Sequence, residues 1–119
     1  MALDIDGLKA YQAALAALTE KLGELPQPIK GGRAAALGTL ISMRRRIDIL
    51  VVASENRPLT DIDHSDVSRD VNSIQWLRDT DWVWQDFSGV EFDLNGGSGP
   101  LAYQSALDAL RQNLMKAIG

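Results

Sequence analysis

The 119-residue chain contains no cysteine. That excludes a disulfide framework, thiolate metal ligands and a cysteine nucleophile, and it fits a reducing compartment. A single histidine, His64, leaves a zinc site short of its usual ligands. No apolar run approaches the roughly 18 residues needed to cross a bilayer. The opening MALDIDGLK lacks the basic stretch that begins a secretory signal, so the expectation is a cytoplasmic protein with no membrane partner. Positive charge is also scarce. Twelve Lys and Arg face sixteen Asp and Glu, for a net charge of −4, which makes binding to nucleic acid through its phosphates unlikely.

What the chain does have is a repeated pattern. Residues 7–22, GLKAYQAALAALTEKL, match residues 99–114, GPLAYQSALDALRQNL, at nine of sixteen positions without a gap. In both, Tyr and Leu recur in steps of four, three and four: Tyr11, Leu15, Leu18, Leu22 and Tyr103, Leu107, Leu110, Leu114. Such a stripe is the seam of a helix that packs on another helix. It arises either by duplication or from shared Ala/Leu composition.

At this length one domain, residues 1–119, is expected, with a core that needs no metal or disulfide. The first helix is predicted over about 5–22, capped by Asp4 or Asp6 and ended by Gly23 and the turn-rich GELPQPIKGG. A second helix, 33–55, carries Ala36, Leu40, Met43, Ile47, Leu50 and Val51 on one face. Its IDILVVA stretch, 47–53, is β-branched enough to make a buried strand, and the fold would then be α/β. A third helix is predicted over 64–79, with Thr60, Asp63 and Ser65 competing as its cap. From Trp82 to Leu94 the apolar period shifts towards two, around the turn residues Asp86 to Gly89, which predicts a small β-hairpin at 82–94. The final helix, 100–118, starts at Pro100 after a glycine-rich link. The fold class is therefore mainly α, with four helices and one inserted hairpin.

Trp76, Trp82, Trp84, Phe87 and Phe92 place five of the seven aromatics within seventeen residues. They read either as core that fastens the hairpin or as interface anchors. Charge is uneven: residues 59–94 hold two arginines and nine acids. The one basic run, Arg44, Arg45 and Arg46, spans about 200° of a helix surface and so cannot face a single partner. With Lys30 and Arg33 it offers a weak anion site. Asp61, Asp63, His64 and Asp66 have ligand-like spacing but lack the glycine and distal glutamate of a calcium loop, and capping explains them better. Ser98 lies in G-G-S-G-P, where Pro100 replaces the glycine a nucleophile elbow needs. No nucleophile, base and oxyanion donor assemble, so no catalytic residue, metal or cofactor is expected.

Helices joined by glycine-rich loops and a small hairpin resemble small bacteriophage head–tail or assembly proteins. That resemblance implies a structural role, with the virion as the location. The overall expectation is a non-enzymatic, homo-oligomeric interaction protein whose contacts come from Trp76, Trp82, Trp84, Phe87, Arg44, Arg45, Arg46, Tyr11 and Tyr103. The alternatives are a small-ligand or anion binder built on Lys30 and Arg33, and an acidic inhibitor acting through Asp61, Asp63, Asp66 and Asp70.

Overall fold

The computed structural model describes residues 3–92 and 97–119. Asp4 caps the first helix, α1 (Ile5–Gly23), by accepting a hydrogen bond from the Gly7 amide at 3.2 Å. A loop containing Pro26 and Pro28 leads to α2 (Gly32–Ser54). Helix α2 runs unbroken through 47–53, so the strand alternative does not occur and the chain is mainly helical. Absence of Gly and Pro after Gly38 lets the β-branched run continue the helix, because its Ile47 and Val51 repeat the core-facing spacing.

The predicted third helix is two. Thr60 and Asp63 form a reciprocal capping box that starts α3 (Asp61–Ser68) three residues earlier than expected. The Ser68 hydroxyl then bonds back to the His64 carbonyl at 2.7 Å. Such back-bonding bends helices, and the chain turns at Arg69 before α4 (Asp70–Asp79).

The hairpin expected at 82–94 is not there. Asp81–Trp84 form a single helical turn, α5, followed by a 3-10 turn at Gln85–Phe87. That winding points Val83 and Phe87, four residues apart, into the core together. The only strand pairing among the described residues is a two-residue antiparallel contact, Glu91 with Ser98 and Phe92 with Gly97. The predicted Leu94 end of the hairpin lies outside the described residues. Helix α6 (Gly99–Ile118) follows, with Pro100 in its first turn.

Helix α1 packs most extensively on α6 and next on α2, while α4 lies on α6 and α5 on α2. Both Tyr/Leu seams are buried along their whole length. At one pole the Asp4 amide donates to the Ala117 carbonyl at 2.9 Å, and His64 Nε2 lies 2.7 Å from the Ile118 carbonyl. At the other pole Gly32 is indispensable. A Cβ there would lie 2.5 Å from the Trp82 carbonyl oxygen and 2.6 Å from that of Val83, so α5 can approach α2 only over a glycine. Among the described residues no helix is long and apolar enough to cross a membrane.

Candidate functional site

The residues singled out in the sequence separate into a buried set and an exposed set. Tyr11, Tyr103 and Phe87 are wholly buried. Phe87 stacks on Tyr103 with ring centroids 4.0 Å apart and planes 9° from parallel. These three are core residues of the chain's own fold: the two seams carry the tyrosines inward, and the 3-10 turn lays Phe87 against Tyr103.

Tyr11 also enters a polar network inside the bundle. Its hydroxyl donates to Asp70 at 2.7 Å, and Arg46 of α2 pairs with the other oxygen of the same carboxylate. Burial pushes the Asp70 carboxyl above its usual range, with Tyr11 and Arg46 opposing the shift. Burial, together with the neighbouring Asp70 charge, also raises the Tyr11 hydroxyl. Three helices are joined here through one fully enclosed acid, an arrangement that holds α4 in register.

The arginine run divides as its helical spacing requires. Arg44 bonds the Thr19 hydroxyl at 3.0 Å and lies near Glu20 and Asp48, while Arg46 is held by Asp70. Arg45 points outward and meets no carboxylate within 4 Å among the described residues. The ligand-like acids are similarly engaged. Asp63 receives both Arg57 guanidinium nitrogens, at 2.7 and 3.1 Å, as well as the Thr60 amide, and the Arg57 contact holds its carboxyl well below the usual range. His64 reaches Ile118, and Asp66 lies 3.7 Å from Arg69. Among the described residues no three His, Asp or Glu side chains converge as a metal cluster.

At the start of α2, where Lys30 and Arg33 were expected to hold an anion, the Asp86 carboxylate already accepts the Gly32 amide. The chain's own acid therefore occupies the positive end of this helix.

Two exposed surfaces are prominent among the described residues. At the α4–α5 corner Trp76 and Trp82 meet edge to face, centroids 5.9 Å apart and planes at 77°, with 45% and 55% of each residue exposed. Trp84 is half-buried against the core, and its indole nitrogen donates to Asp81 at 3.2 Å. The second surface is the outward side of α2, where Ile49 and Val52 are 71% and 60% exposed. Beside it a cleft of about 190 Å³ runs between α2 and α3, floored by Leu50, Ala53 and Val67 and edged by Arg46, Arg57 and Asp66. The sequence held a signal for this second surface, since Ile49 and Val52 are apolar yet fall off the core stripe of α2. No family model, curated protein or solved structure matches the chain.

Proposed function

We propose that this chain is a non-enzymatic protein-interaction module that assembles with copies of itself, with Trp76 and Trp82 as anchors. The observation that carries this reading is the exposed edge-to-face tryptophan pair. Two large rings held by each other need little further ordering to bind, and covering them removes much apolar surface from water. The corner lies in the acidic 59–94 stretch, so the neighbouring surface needs a basic rim, and added salt should weaken the contact.

Intrachain pairing of Arg44 and Arg46 removes two of the three arginines from the bridge to a neighbour's acids that the sequence suggested. The internal bonds of Asp63 and Asp70 likewise weaken the acidic-inhibitor alternative. The likeness to bacteriophage head–tail proteins, and with it a virion location, drew partly on the absent hairpin at 82–94 and now rests only on helices and glycine-rich loops. The test is absolute mass by light scattering over a wide concentration range, for the wild type and for Trp76→Ala/Trp82→Ala. The variant should keep its helical circular dichroism and show a lower mass at high concentration. Equal masses at every concentration, with the fold intact, would overturn the assignment.

A further inference from the structure

Helix α2 carries a second stripe on the side opposite its core face. Gly38, Ser42, Arg45, Ile49 and Val52 follow one another in steps of four, three, four and three, and all five are exposed. That spacing is the a/d seam of a helix meeting another helix, here without an occupant from the same chain. A Cβ built on Gly38 meets nothing within 4 Å, so this end of the stripe is open. Glu55, just past the helix end, is exposed and, like Arg45, has no opposite charge within 4 Å among the described residues.

We infer that this stripe is the seat of a second copy of the chain, docked with its own α2 antiparallel about a two-fold axis near residues 50 and 51. In that register Ile49 of each copy faces Val52 of the other. Arg45 of each copy reaches Glu55 of the other, so the two unpaired charges satisfy each other twice. One surface that supplies both halves of an apolar contact and both signs of a flanking ion pair is self-complementary, which is the requirement of a closed two-fold interface. In this register Gly38 and Ser42 lie past the end of the partner's α2 at Ser54, opposite the start of its α3, and with little or no side chain they leave room for it. The proposal rests on the self-association reading but uses a surface separate from the tryptophan corner. Together the two contacts make dimers that associate further.

The charge pair provides the test. Light scattering and sedimentation equilibrium are run on Trp76→Ala/Trp82→Ala, which removes the corner contact, and on the same background with Arg45→Glu, Glu55→Arg, or both. The background protein should be a dimer. Each single reversal should raise its dissociation constant about tenfold or more, because it sets like charges face to face, and the double reversal should restore the dimer. A background protein that stays monomeric at all concentrations would overturn the α2 dimer without touching the tryptophan assignment. So would a double variant that associates no better than either single one. As the chain has no native cysteine, an equimolar mixture of Ile49→Cys and Val52→Cys copies supplies a second reading: mild oxidation should give mainly the mixed covalent dimer if the antiparallel register is right, and no excess of the mixed dimer over the like pairs would overturn that register.

Discussion

Tyr11 and Tyr103 hold equivalent places in two matching sixteen-residue stretches, and both are wholly buried, yet their hydroxyls serve different ends. Tyr11 donates to the enclosed carboxylate of Asp70, which Arg46 also holds. Tyr103 donates to the Leu77 backbone carbonyl at 3.0 Å, next to the turn where Gln104 reaches the Arg78 carbonyl. The rings and the leucines that follow them are interchangeable packing. The hydroxyls answer to whatever the intervening chain brings near. A repeated seam therefore predicts where two helices meet and says little about the polar chemistry at their edges.

The largest expected effect sharpens the equivalence. Leu15→Ala and Leu107→Ala each remove a fully buried side chain from matching positions, and each should cost about 2–5 kcal/mol in urea unfolding. A difference between them larger than that range would break the equivalence of the two seams.

The next prediction separates the tyrosines. Tyr103→Phe should cost about 0.5–1.5 kcal/mol, as for a neutral hydrogen bond, and Tyr11→Phe about 1.5–3 kcal/mol, because its acceptor is charged. Burial raises Asp70, so the stability this acid contributes is fully present below its unfolded titration and is lost as pH rises through its raised value. Protonation removes the charge on the acceptor of the Tyr11 hydroxyl, so the cost of Tyr11→Phe should shrink as pH is lowered from neutral through that titration, while the cost of Tyr103→Phe stays constant. Unfolding curves at several pH values distinguish the two.

The smallest effect concerns Asp63, an acid in the same segment as Asp70 with the opposite shift. Its lowered carboxyl contributes stability above its unfolded titration, and that stability is lost as pH falls through its depressed folded value. Asp63→Asn should cost about 1 kcal/mol at neutral pH, as for a lost cap, and should flatten the acid limb of the stability profile. An acid limb identical to the wild type would show that the Arg57 pair does not matter.

Three long helices were legible from the sequence because their apolar residues repeat at the helical period: 5–22, 33–55 and 100–118 lie within one or two residues of the observed ends. The stretch 82–94 was not. Trp82 and Trp84, then Val90 and Phe92, alternate as strands do, but the inward residue is Val83, and the turn is set by contacts with Gly32 more than fifty residues earlier. Local pattern contains no trace of such a contact. The split of 64–79 at Arg69 coincides with the Ser68 hydroxyl bonding back to the His64 carbonyl, a choice that the apolar pattern does not record. Of the site, the tryptophans were legible as a cluster, though only two of the three stand open. Asp70 was legible only as one of four acids on an acidic surface and not as a buried group, because its partners lie 24 and 59 residues away.

The hydrogen bond from Asp4 to Ala117 joins residues more than a hundred positions apart. The α1–α6 packing is also the most extensive in the molecule. The most extensive packing thus depends on closing a loop of more than a hundred residues, and loop closure must be met before such contacts reward it. Joining the two ends and opening the chain in the loop between α1 and α2 would turn that distant pairing into a local hairpin. The finished packing would be the same, but folding would begin from the contact that the natural order of the chain makes slowest to form.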